Sequence, residues 1–131
     1  MTAFLDDLYG RGSVDETPSA APEEMTPPTG DFLVLYDGEE ALACGGVKRL
    51  HDGVAEIKRM WVVPEARSRG HARRLLVALE SAARDLGYLR VRLDTGRLQP
   101  HARVLYLSEG YEEIDDYNAN PYASHWFEKR L

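Results

Sequence analysis

The apolar residues of this 131-residue chain fall into two rhythms. One is the two-residue period of a strand, and the other is the three-to-four-residue period of a helix with one apolar stripe. Phe32-Leu-Val-Leu-Tyr36 is a continuous apolar run closed by the turn pair Asp37-Gly38. Ala41 to Val47 follows as a strand of small residues, a composition that points to close approach by a neighbour. The two runs read as an antiparallel hairpin. After His51-Asp52-Gly53, a third strand covers Val54 to Val63. Regular alternation there sets Glu56, Lys58, Met60 and Val62 on one side, and Ala55, Ile57, Arg59, Trp61 and Val63 on the other. Pro64 ends this strand because it has no N–H for a ladder.

From Ala72 the period becomes helical. Leu75, Leu76, Leu79, Ala82, Ala83 and Leu86 share one stripe, and Gly87 supplies the stop. Leu89, Val91 and Leu93 then alternate with Arg90, Arg92 and Asp94 as a strand. Gln99 to Ser108 is a second helix, with Pro100 in its first turn and Gly110 beyond its end. Tyr111 to Ile114 and His125 to Leu131 read as two last strands joined by the loop Asp115 to Ser124. The order is strand, strand, strand, helix, strand, helix, strand, strand, which predicts a mixed α/β domain, an α+β mixed sheet, rather than a repeat or a bundle. Ahead of it, residues 1–31 hold a short amphipathic segment, Phe4 to Tyr9. An acidic loop follows with Pro18, Pro22, Pro27 and Pro28, allowing one helical turn near Glu23 to Met25. The division is therefore 1–31 as an N-terminal segment and 32–131 as the core domain.

Charge sharpens this division. Up to Glu40 there are ten acidic residues and one basic residue, whereas Lys58 to Arg103 carries eleven basic against four acidic. The middle of the chain is thus fit to hold an anion, although the same arginines describe a solvated face equally well. The basic stretch lacks interleaved exposed aromatics and the net charge is −6, which argues against nucleic acid. No apolar run reaches the roughly 20 residues of a membrane span, and the start does not have the form of a secretory signal. Cys44 is the single cysteine, so no internal disulfide forms, and a cytoplasmic protein is expected. His51, His71, His101 and His125 make no close ligand pair, so no metal site is predicted.

The sharpest local feature is Arg67-Ser-Arg-Gly70-His-Ala72, at the junction of a strand and a long helix. Such a junction offers unpaired backbone N–H groups and the positive end of the helix dipole to an anion. Gly70 removes the side chain that would hold a phosphate off, and Arg67, Arg69, Arg73 and Arg74 add charge. The loop lacks the Gly-Lys-Ser/Thr of a P-loop and the three glycines of a dinucleotide fingerprint.

Glu56-Ile-Lys-Arg-Met-Trp-Val-Val-Pro64, then Arg67-x-x-Gly70-x-Ala72, then a Leu-rich helix, resembles the acetyl-CoA-binding core of the GNAT superfamily. A second block, Ala102-x-x-Leu-Tyr106 followed by Glu109-Gly110-Tyr111, is similar to that family's later helix and its Gly-aromatic end. The resemblance covers roughly Phe32 to Leu131. It implies a GNAT acyl-CoA N-acyltransferase fold and an N-acetyltransferase that moves an acetyl group from acetyl-CoA, as co-substrate, to a primary amine on a small molecule, an amino acid or a protein terminus.

The resemblance also implies positions. Met60, Trp61, Val62 and Val63 would offer backbone groups to the pantetheine arm where their strand splays from its neighbour. The amides of Arg67, Ser68, Arg69, Gly70, His71, Ala72 and Arg73 would hold the pyrophosphate. Gln99 stands where relatives often carry an Asn that touches the cofactor. Tyr106 matches the general acid for the departing thiolate, with a backbone N–H near Met60 facing the carbonyl oxygen. Glu56, eleven positions before the loop, matches the base of the histone-acetylating branch, while other relatives relay the proton through water.

Each assignment has a plainer counterpart. Tyr106 also fits a core residue with a wet tip, Glu56 a partner for Lys58 or an arginine, and Cys44 a buried hydrophobe. Tyr117-Asn-Ala-Asn-Pro-Tyr122 lines the acceptor pocket by resemblance and is a turn by composition. Relatives begin with one more strand and two helices, so the resemblance implies a shortened N-terminal part. A homodimer that completes the sheet at Phe32 to Tyr36 is one consequence. A non-catalytic acyl-CoA-binding or regulatory module of the same fold is the alternative function.

Overall fold

A computed structural model describes residues 22–96 and 100–131. The segment Phe4 to Tyr9, the first part of the proline-rich stretch, and Gln99 lie outside the described residues. The elements follow in the expected order: β1 (Asp31–Asp37), β2 (Glu40–His51), β3 (Val54–Val62), α1 (His71–Asp85), β4 (Arg90–Thr95), α2 (Pro100–Ser108), β5 (Glu112–Ile114) and β6 (His125–Arg130). A 3-10 turn at Pro22–Met25 stands where the sequence allowed a helical turn, and another at Pro64–Ala66 follows β3. Among the described residues no helix is long and apolar enough to cross a membrane.

The strands form one sheet in the order β1-β2-β3-β4-β6-β5. All neighbours are antiparallel except β3 and β4, the pair that α1 connects. A parallel pair needs such a crossover, because a tight turn cannot reverse the chain twice. The core sits between the sheet and α1, whose Leu75, Leu76, Leu79 and Ala83 are buried while Val77, off the stripe, is half exposed. Phe127, Val91, Leu93 and Val47 meet them from the sheet. The stripe also buries Glu80, which accepts hydrogen bonds from Tyr111 Oη at 2.8 Å and Lys129 Nζ at 3.0 Å. That pairing removes the cost of an isolated buried charge and ties α1 to the far end of the sheet. Burial, and then the Glu80 carboxylate, push the Tyr111 phenol up.

The small residues of β2 serve close approach, as their composition implied. A Cβ on Gly45 would stand 2.9 Å from Leu79 Cδ1 and 3.1 Å from Met60 Cγ, and one on Gly46 would stand 2.3 Å from Met25 Sδ. α1 therefore presses on one face and the Pro22–Met25 turn on the other. Tyr88 Oη fastens this turn's exit by donating to Thr29 O at 2.6 Å.

β3 departs from the expected alternation. Ala55 and Ile57 belong to the core, yet so do the contacts of Met60 and Val62, which are of opposite parity. The cause is a bulge: the register against β2 shifts between Cys44 and Gly46, and Arg59 takes φ 58°. One extra residue on β3 resets the side-chain period, so Met60 faces α1 instead of sharing a side with Glu56 and Lys58. β3 also ends at Val62, one residue early, although the Val63 N–H still donates to Leu42 O of β2 at 2.8 Å. Past Glu56 and Arg92 the β3–β4 ladder stops, and the two strands part.

Candidate active site

The parting of β3 from β4 opens a cleft of about 120 Å³, lined by Ile57, Lys58, Arg59, Met60, Leu93, Asp94 and Tyr106. From Ile57 onward β3 pairs only with β2 among the described residues, so no described strand ladders onto the edge of β3 that faces the cleft. The backbone groups of such an edge favour a polar guest.

From the cleft, β3 runs through Trp61 and Val62 into the loop ahead of α1. Arg67 is pinned there, donating from Nε to Val62 O at 3.0 Å with its guanidinium 5.8 Å from the centre of the Trp61 ring. Ser68 and Gly70 are left-handed, at φ 66° and 83°, and Gly70 caps α1. The first intrahelical bond runs from Arg74 N to Gly70 O, which leaves the N–H groups of His71, Ala72 and Arg73 without partners in the helix. A Cβ on Gly70 would meet no atom within 4 Å, so the space above the loop is open. The arginine side chains are less free than their number suggests. Arg73 pairs with Glu109 and donates to Ser108 Oγ at 3.0 Å, and Arg74 lies 3.3 Å from His71 Nδ1.

Tyr106 comes from α2, where its ring packs at 5.7 Å on Tyr111 and 5.4 Å on Phe127 between centroids. Among the described residues its hydroxyl makes no hydrogen bond, although the residue is only 7% exposed and lines the cleft. Burial, and then the nearby Asp94 carboxylate, push its pKa up to about 12. The phenol therefore stays protonated, a donor held at the cleft wall.

Beside the cleft lies a buried polar cluster. Glu56, 3% exposed, accepts from Tyr117 Oη at 2.7 Å and from Asn118 Nδ2 at 3.1 Å, both on Oε2, with Lys58 Nζ 3.5 Å away. Asp94 Oδ2 accepts from the same Asn118 Nδ2 at 2.6 Å and from Asn120 Nδ2 at 3.3 Å, with Lys58 Nζ at 3.7 Å. Trp126 Nε1 donates to Asn118 Oδ1 at 2.9 Å and fixes the orientation of that amide. The Tyr117 phenol is pushed up, first by burial and then by the Glu56 carboxylate.

The family model for the acetyltransferase (GNAT) family matches residues 2–111. The chain belongs to the GNAT family. Over 117 residues it is 33% identical to the IAA acetyltransferase of Azospirillum brasilense, covering 86% of this chain and 72% of that one. A Klebsiella pneumoniae protein assigned to the acyl-CoA N-acyltransferases superposes with a TM-score of 0.72 at 28% identity, over 98% of this chain and 86% of the other. The PaiA N-acetyltransferase of Thermoplasma acidophilum, solved in complex with coenzyme A, shares the fold at a TM-score of 0.67 and 20% identity, over 79% of this chain and 62% of that one. The GNAT match begins at residue 2, ahead of the stretch from Phe32 that the motifs cover.

Of the positions expected from the GNAT resemblance, Met60 and Tyr106 meet at the cleft, and Arg67 to Arg73 form the loop and first turn beyond it. Trp61 and Val62 join the two, whereas the Val63 N–H is already bonded to β2. Glu56 does not line the cleft and stands behind it, paired with Lys58 as its plainer reading had it. Asp94 was legible only as a polar position on an alternating strand. Asn118 sat inside a loop whose composition a turn explains equally well. Nothing local marks either as a site residue, since the bonds that join Asn118 to Asp94 and to Glu56 span 24 and 62 residues.

Proposed function

We propose that this GNAT chain transfers the acetyl group of acetyl-CoA to a primary amine. The observation that carries the reading is the cleft between β3 and β4, with a Tyr106 hydroxyl in its wall that makes no hydrogen bond among the described residues and the Arg67–Arg73 junction at the end of the same strand. The residues present suit an acyl-CoA. The open space above Gly70, the N–H groups in the first turn of α1 that have no helical partner, and the edge of β3 that no described strand ladders match a pyrophosphate followed by an amide-bearing arm. Acetyl-CoA supplies the activated acyl group. The coenzyme A complex of the Thermoplasma protein supports this choice of ligand for the fold.

The chain's own residues then divide the work. The β3 edge near Met60 directs a backbone N–H at the carbonyl oxygen, where negative charge grows as the amine nitrogen bonds to carbon. Tyr106 donates to the sulfur as the carbon–sulfur bond breaks. Glu56 does not line the cleft, so the proton the amine loses reaches it through water, at its Oε1, which accepts no hydrogen bond among the described residues. One N–C bond forms and one C–S bond breaks; the amine gives one proton to Glu56, and the thiolate leaves hydrogen-bonded to Tyr106 and takes its proton from water. Release of free thiol from acetyl-CoA, followed with a panel of primary amines, tests the reading. Binding of acetyl-CoA without thiol release for any amine would instead support a non-catalytic module.

A further inference from the structure

We infer that Asp94 is the specificity-determining residue of the acceptor side, binding the incoming amine in its ammonium form; the inference rests on the acetyl-transfer reading above. Asp94 is the carboxylate among the residues lining the cleft, and its side chain is 13% exposed. All of its contacts fall on one oxygen. Oδ2 takes Asn118, Asn120 and Lys58, while Oδ1 accepts no hydrogen bond among the described residues. The carboxylate is thus held by fixed donors with its second oxygen left for a guest.

Lys58 is shared between Glu56 at 3.5 Å and Asp94 at 3.7 Å, so two carboxylates face one ammonium. Arg59 also lines the cleft and has an interaction of its own. A second ammonium at Oδ1 completes the pairing of the cluster, and charge-assisted hydrogen bonds of this kind are the stronger ones. The position is productive as well. Asp94 and Tyr106 line the same cleft, so a group bound at Oδ1 enters the space that the Tyr106 hydroxyl faces. An alkylamine reaches the site mostly as the ammonium at neutral pH, which is the form Asp94 selects; its extra proton passes to solvent before attack, and the proton lost on bonding to carbon goes to the base already described.

Two amines of nearly equal size separate charge from shape: cyclohexylamine, an ammonium at neutral pH, and aniline, which is neutral there. Thiol release is measured with each at saturating acetyl-CoA, for the parent and for Asp94→Asn. Binding of each amine to the CoA-loaded protein is measured by calorimetry. The expected result is a rise of about ten- to a hundredfold in KM for cyclohexylamine in the variant, with aniline changing by less than about threefold. An unchanged ratio of the two KM values, in a variant that binds acetyl-CoA as the parent does, overturns the role of Asp94 and leaves acetyl transfer standing. Cyclohexylammonium binding that depends on Asp94 without any thiol release does the reverse. If Asp94→Asn does not fold, the parent decides alone, since aniline binding as tightly as cyclohexylammonium overturns the inference.

Discussion

Replacing Tyr106 by Phe removes one oxygen and leaves the ring where it is. The ring contacts with Tyr111 and Phe127 persist, and the hydroxyl has no protein hydrogen bond to lose among the described residues. Stability should therefore move by less than about 1 kcal/mol. Acetyl-CoA affinity should also hold, because the groups that suit its pyrophosphate and arm belong to the backbone of the loop and β3. The effect on turnover follows from acidity. A phenol at about 12 is a much weaker acid than a thiol near 8.5, a gap worth about 5 kcal/mol against outright proton transfer to the free thiolate. Tyr106 then acts chiefly as a hydrogen bond to sulfur while charge builds. A bond of that kind to a charged group contributes about 1.5–3 kcal/mol, so kcat should fall about 10- to 100-fold. The assay is thiol release at saturating acetyl-CoA with one responsive amine, beside calorimetric titration of acetyl-CoA into the same variant. Because the phenol titrates only near 12, the parent's rate should show no loss attributable to Tyr106 up to about pH 10. A variant within about twofold of the parent in kcat would make Tyr106 a packing residue and refute the reasoning.

Gly70→Val puts a β-branched residue at φ 83° and fills the open space over the loop, so the rise in melting temperature on adding acetyl-CoA should largely vanish; a full shift in the folded variant would move the pyrophosphate elsewhere. Glu56→Gln keeps the hydrogen bonds from Tyr117 and Asn118 within reach but removes the proton acceptor, and should lower kcat about 100-fold or more while the KM for the amine changes little; parental kcat at every pH would transfer the base role to water. Tyr106, Tyr111 and Tyr117 all have folded-state values raised above 10, so the folded protein keeps protons that the unfolded chain releases. Stability is thus full below about pH 10 and falls as pH rises toward 12, and Tyr106→Phe should flatten that fall in a series of urea melts.

The order of the elements, the Arg67–Ala72 junction and Tyr106 were legible because each depends on a local period or a short fixed spacing. Apolar residues at helical spacing must find a face to bury, and a glycine before a helix needs no distant partner to take a left-handed φ. Arg59 was different. Its bulge exists only in register with β2, where Gly45 lets Met60 and α1 close in, and it reversed which β3 side chains meet the core. Glu56 was found as a residue but not as a neighbour. The sequence alone led to a base carboxylate near the loop, and the fold set that carboxylate behind the cleft and put Asp94 in its wall. Asn118 joins the two because the loop between β5 and β6 folds back over the parting of β3 and β4. That contact is set by how the sheet closes, a long-range event with no local period to announce it.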